Sequence, residues 1–92
     1  MTFGEKKYHT YIIYSPKLDI YYVGHSQDLQ ERIENYHNVG RAQYTKRGIP
    51  WKVVYSKAFD TRAQAMKHER EIKSRKSRTY IENLVQSVPS RL

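Results

Sequence analysis

The sequence has no cysteine, three prolines, four glycines and no long run of apolar residues. Without cysteine there is neither a disulfide framework nor a thiolate zinc site. No apolar run approaches the roughly 18 residues a membrane-spanning helix needs, and the first ten residues lack a signal-peptide hydrophobic stretch. A cytoplasmic protein without a membrane partner is the expectation. Acid is scarce too: 9 Asp and Glu stand against 17 Lys and Arg, a formal net charge of +8. Residues 1–60 carry nine bases and six acids, residues 61–92 eight and three, and Arg41 to Lys57 five bases and no acid. Such a field favours a polyanion, because each neutralised phosphate releases condensed counterions. By itself it also suits a merely solvated basic surface.

What the sequence has in plenty is tyrosine. There are nine, and four lie in "TYIIYSPKLDIYYVG" (Thr10 to Gly24). A phenol can fill a core, stack on a base or transfer a proton. Tyr8 to Ser15, aromatic and β-branched, reads as a strand; Pro16 to Asp19 carries turn chemistry, and Tyr21 to Gly24 reads as the returning strand. An even-numbered loop, such as Pro16-Lys17, sets Tyr11 directly opposite Tyr22 on one face. Ser26 is the expected N-cap of a helix to about Asn38, with Asp28 in its first turn and Leu29, Ile33 and Tyr36 on its buried stripe. A basic loop leads to a third strand, Trp51 to Phe59. Asp60 or Thr61 caps a second helix to about Ser74. Ser77 caps a third to about Ser87, with Ile81, Leu84, Val85 and Val88 apolar and Pro89 beyond its end. The predicted class is α+β: a small, mainly antiparallel three-stranded sheet flanked by helices, in the order β-β-α-β-α-α.

Several polar residues sit awkwardly in this pattern. Glu69 falls inside the apolar stripe marked by Ala65, Met66 and Ile72, where a carboxylate must be paired, protonated or bound to a cation. Two readings stand: a boundary glutamate paired with a nearby Lys or Arg, or a lone carboxylate ligand for Mg²⁺. Arg32 lies at the edge of the first helix's stripe, either covering the core with its stem or holding a guanidinium for a phosphoryl group. His25 and His37 flank that helix. The basic run Lys73, Arg75, Lys76 and Arg78 directly follows Glu69.

From about Tyr8 to Leu84 the sequence resembles the GIY-YIG nuclease domain, most of all its short stand-alone bacterial members; the domain is related to the N-terminal domain of a bacterial excinuclease. Tyr22-Val23-Gly24 matches the second motif, and His9-Thr10-Tyr11 keeps only the tyrosine of the first. "GHSQDLQERIENYHN" resembles the segment that carries the family's catalytic arginine, which falls on Arg32. "AMKHEREIKSRKSR" resembles its A-x-x-x-E-x-x-I-K helix, placing the metal-binding glutamate on Glu69.

The resemblance implies one GIY-YIG-like domain over 1–92, with its core at about 8–85. It implies an endonuclease that hydrolyses phosphodiester bonds with one divalent ion, Mg²⁺ or Mn²⁺, in a repair or recombination setting. Glu69 would hold the metal, Arg32 neutralise charge on phosphorus, Tyr11 accept a proton from water, and Tyr22 position that water or the phosphate. Tyr36 or His37 would relay the proton. His25, Arg41, Lys46, Arg47, Lys73, Arg75 and Lys76 are the expected nucleic-acid contacts, with DNA ahead of RNA as the partner. Tyr44 beside Lys46 and Arg47 is a stacking candidate. A homodimer or a recruiting protein would supply specificity. Two rivals accompany this reading: a non-catalytic nucleic-acid-binding module of the same fold, and a basic protein-interaction domain.

Overall fold

The computed structural model describes residues 7–40 and 45–87. Strand β1 (Tyr8–Ser15) is the middle of a three-stranded sheet. Strands β2 (Ile20–Ser26) and β3 (Lys52–Phe59) flank it, both antiparallel to it. Helix α1 (Leu29–Arg32) runs on into a π-helical turn, Ile33–His37, and a short 3-10 turn, Lys46–Gly48, precedes β3. Helices α2 (Arg62–Arg75) and α3 (Arg78–Gln86) complete the chain as described. The expected α+β class and element order are observed.

Strand alternation divides the core between the two faces of the sheet. Tyr11 and Ile13 pack with Ile33 and Trp51 on one face, beneath α1 and its π turn. Ile12 and Val23 pack with Tyr55 and Ile72 on the other, beneath α2 and α3. Each fully buried side chain of this kind contributes about 1.5–3 kcal/mol. The Thr10 hydroxyl, buried in β1, donates to the Ala65 carbonyl at 2.7 Å and ties α2 to the sheet centre.

The hairpin register differs from the expectation. The loop spans four residues rather than two, closed by the Asp19 amide on the Ser15 carbonyl, with Asp19 in the left-handed region (φ 56). Tyr11 therefore faces Gly24, and Tyr22 faces Ile13. Because four is also even, Tyr11 and Tyr22 stay on one face. The first helix also starts later. Ser26 is the last residue of β2, where its hydroxyl bonds the Asp28 backbone, and Asp28 is the true cap, accepting the Glu31 amide. Thr61 rather than Asp60 caps α2, in a capping box with Gln64; Asp60 pairs with Lys7 instead. Ser77 caps α3 as expected. Val88 and Pro89 lie outside the described residues.

Candidate active site

Tyr11 owes its position to Gly24. A Cβ at Gly24 would lie 2.7 Å from the Tyr11 hydroxyl oxygen and 2.8 Å from Cζ, so the bare glycine leaves a notch that the phenol ring fills. Tyr11 is thus 2% exposed. Its hydroxyl shares a hydrogen bond of 2.7 Å with Nε2 of His37. The other imidazole nitrogen, Nδ1, lies 2.9 Å from the Thr45 hydroxyl. Neighbouring Asn38 accepts the Trp51 amide at 2.6 Å and donates to the Trp51 carbonyl at 3.1 Å, fixing the end of the π turn against the start of β3. His37 is therefore held on three sides and is 1% exposed.

Burial, with the Arg32 guanidinium nearby, lowers the His37 pKa to about 4, so the imidazole is neutral at physiological pH. Burial also raises the Tyr11 pKa well above that of a free phenol. Tyr22 adds to the rise and Arg32 opposes it; Glu69 and Tyr36 raise it further. The Tyr11 hydroxyl thus feels Tyr22, Arg32, Glu69 and Tyr36, residues scattered along the sequence. Arg32 lies over the Tyr36 ring, 4.4 Å from its centroid. The Tyr22 ring meets the His37 ring edge-on at 5.3 Å. The choice between Tyr36 and His37 acquires geometric content: His37 touches the Tyr11 hydroxyl, and Tyr36 supports Arg32.

Glu69 stands on α2, which packs on the other face of the sheet, and its charge is felt at Tyr11. His25, on that same face, places Nδ1 2.5 Å from Oε1 of Glu69, and Lys73 donates to Oε2 at 2.6 Å. The Glu69 side chain is only 16% exposed. Burial opposes its ionisation, but the bonds from Lys73 and His25 outweigh it and hold its pKa below the ordinary carboxylate range. The paired reading of Glu69 thus describes the free protein. An ionised carboxylate is also a hard-oxygen ligand of the kind a divalent ion takes, and an ion bound there would displace Lys73 or His25 from it. Among the described residues no group of three or more His, Cys, Asp or Glu gathers to make a larger metal cage.

The remaining expected contacts are spread more widely. Lys46 and Arg47 are exposed on the 3-10 turn, and Arg75 stacks over Tyr80 at 4.7 Å. Lys76 ends α2 in the left-handed conformation. Tyr14 contacts the Tyr21 ring and donates to Asp19, a packing role. Arg41 and Tyr44 lie outside the described residues. Thr45, Gly24 and the His25–Glu69 pairing go beyond the expectations from sequence. The glycine that follows Tyr22-Val23 in a strand is the available signal for the notch; nothing local points to Thr45.

Residues 7–82 match the family model described as the GIY-YIG catalytic domain. The chain belongs to the GIY-YIG family. The family is one of nucleases, acting on nucleic acid and generally with a divalent metal. Relatives of this GIY-YIG protein include a UPF0213 protein of Staphylococcus saprophyticus, 42% identical over 53 residues, which cover 58% of this chain and 65% of the relative. The match thus spans under two thirds of that relative's length. A UPF0213 protein of Haloquadratum walsbyi is 37% identical over 68 residues, covering 73% of this chain and 75% of the relative. The solution NMR structure of a UPF0213 protein from Bacillus halodurans superposes with a TM-score of 0.56 at 30% identity, covering 89% of this chain and 85% of that one. Among the described residues of this GIY-YIG chain, no helix is long and apolar enough to cross a membrane.

Proposed function

We propose that this GIY-YIG protein is a metal-dependent endonuclease that hydrolyses phosphodiester bonds in DNA, in a repair or recombination role. The observation that carries the reading is the Tyr11–His37 hydrogen bond, set beside an arginine and an ionised carboxylate. The raised pKa of Tyr11 argues against a standing phenolate as the base. A neutral imidazole offers another route. With Nδ1–H donating to Thr45, the free Nε2 accepts the Tyr11 hydroxyl.

In the proposed step, the attacking water gives a proton to the Tyr11 oxygen as Tyr11 passes its own to His37 Nε2. The water oxygen bonds to phosphorus, the bond to the 3′-oxygen breaks, and the departing 3′-alkoxide takes a proton from solvent while His37 returns its proton through Tyr11. Tyr11 is almost fully buried, too enclosed to meet a phosphodiester directly, so in this reading a water reaches its hydroxyl and Tyr22 is the phenol that meets the phosphate. Arg32, held against Tyr36, neutralises charge growing on the phosphoryl oxygens; one such contact is typically worth about 3–4 kcal/mol in the barrier. The phosphate charge also offsets the Arg32 field that depresses His37, making the imidazole a better proton acceptor when substrate is bound. Glu69 would hold the divalent ion, which would supply Lewis acidity to the phosphoryl transfer.

Incubation with labelled single-stranded, duplex and branched DNA, in Mg²⁺, Mn²⁺ or EDTA, tests the reading. Cleavage with metal, none in EDTA, and loss in Glu69→Ala and Arg32→Ala are expected. Salt-sensitive binding without cleavage would instead favour a binding module, and no binding at moderate salt a protein-interaction domain.

A further inference from the structure

Lys73 touches the Glu69 carboxylate and also borders an open groove. Its ammonium donates to Oε2 of Glu69 at 2.6 Å, while His25 meets Oε1 at 2.5 Å, so both carboxylate oxygens are engaged in the free protein. The same ammonium lies 5.8 Å from the centroid of the Tyr22 ring. Tyr22 and Lys73, with Tyr21, Ile72, Lys76 and Ser77, line a groove of about 350 Å³ running between β2 and the α2–α3 junction.

We propose that Lys73 is a resident cation of the metal site: it occupies Glu69 in the free protein and transfers to a substrate phosphate in the groove, so that nucleic acid and divalent ion strengthen each other's binding. The proposal rests on the nuclease reading above and adds to it the means by which the two ligands are coupled.

Three features carry it. Lys73 and Glu69 are four residues apart on α2, and the Lys73 side chain is 49% exposed against 16% for Glu69, so the ammonium lies on the solvent side of the pair and has water-accessible space to move into. A lysine stem has four rotatable bonds, so its charge can leave the carboxylate for the groove without any movement of α2. The groove already holds a second ammonium at Lys76, whose backbone is fixed as the left-handed cap of α2, so a phosphate arriving there meets two cations. An ammonium and a metal ion cannot both occupy Oε2 at contact distance. Whatever draws Lys73 away therefore raises the affinity of Glu69 for the ion, and by linkage the ion raises the affinity of the groove for phosphate by the same factor.

Titration of the whole chain with Mn²⁺, followed by the electron-spin-resonance signal of free Mn²⁺, tests this with and without a short phosphorothioate oligothymidylate. In wild type the oligonucleotide should tighten Mn²⁺ binding by about fivefold or more, the usual scale of such coupling. Lys73→Met should bind Mn²⁺ about threefold or more tighter without oligonucleotide, and lose most of the enhancement. Lys73→Arg, which keeps the competing charge, should not show the tighter Mn²⁺ binding expected of Lys73→Met in the absence of oligonucleotide. Lys76→Met should weaken the oligonucleotide and leave Mn²⁺ binding to the free protein unchanged, which separates exchange at Glu69 from a general loss of positive charge. Unchanged or weaker Mn²⁺ binding in Lys73→Met overturns the proposal. If Glu69→Ala loses Mn²⁺ while Lys73→Met matches wild type, the exchange alone is wrong. If Glu69→Ala binds Mn²⁺ as wild type does, both the exchange and the metal assignment fall.

Discussion

The Tyr11 hydroxyl and His37 Nε2 are 2.7 Å apart and nearly sealed from solvent, although 26 residues separate them in sequence. The bond joins the centre of the sheet to the end of the π turn, and it gives a phenol that cannot easily ionise a neighbour able to take its proton. Replacing His37 by Gln, which keeps a polar side chain, should reduce single-turnover cleavage by about 10²-fold or more, the usual scale of a lost proton-transfer partner. Retention of the rate within twofold would exclude the relay.

The same histidine predicts how stability depends on pH. Its folded pKa, about 4, lies below the ordinary 6.5, so between these values the unfolded chain binds the extra proton. The sign follows: this stabilisation is complete above about pH 6.5 and is lost as pH falls toward 4, by roughly 3 kcal/mol in total. His68, whose pKa burial also lowers, acts in the same direction. Denaturant melts between pH 7 and 4 should show a shallower slope for His37→Gln than for wild type, and a slope that His68→Gln reduces separately.

Gly24→Ala should act at a distance of one strand. The new methyl would collide with the Tyr11 ring near its hydroxyl, and that ring is confined on all sides. We expect a loss of about 1–3 kcal/mol in stability, the scale of an overpacked core, with cleavage reduced as Tyr11 is pushed off His37. Urea denaturation and the cleavage rate of the folded variant report the two effects separately. A variant as stable and active as wild type would show that the notch is not needed.

How far the sequence foretells this arrangement depends on the range of the interaction involved. The aromatic and β-branched run "YHTYIIYS" locates β1, and Ser77 caps α3 where expected, because both are local signals. Ser26 and Asp28 are both good caps two residues apart, and only the pairing of β2 with β1 decides that Ser26 stays in the strand. The hairpin register turns on the left-handed Asp19, which no apolar pattern encodes. Motifs single out Tyr11, Tyr22, Arg32 and Glu69, yet not the partner of each. The π turn that carries His37 to Tyr11, and the contact of Glu69 on α2 with His25 on β2, depend on packing between distant segments.

Arg32→Lys is not expected to be a mild change. The guanidinium stacks on Tyr36 and presents a rigid fork, whereas an ammonium is a point charge on a mobile stem. Cleavage should fall about 10²-fold or more, while stability changes by only about 0.5–2 kcal/mol, the worth of a half-buried cation–π contact. Equal activity in the two proteins would remove Arg32 from the charge-stabilising role.

Single-turnover cleavage of labelled DNA by wild type and by Tyr11→Phe, at saturating Mg²⁺, tests the central claim most directly. The substitution deletes one hydroxyl and leaves the ring in the Gly24 notch. The account predicts metal-dependent cleavage by wild type and a rate at least about 10²-fold lower in the variant, with both proteins folded and binding DNA alike. Cleavage by Tyr11→Phe at the wild-type rate, or none by wild type on any DNA structure with Mg²⁺ or Mn²⁺, would contradict it.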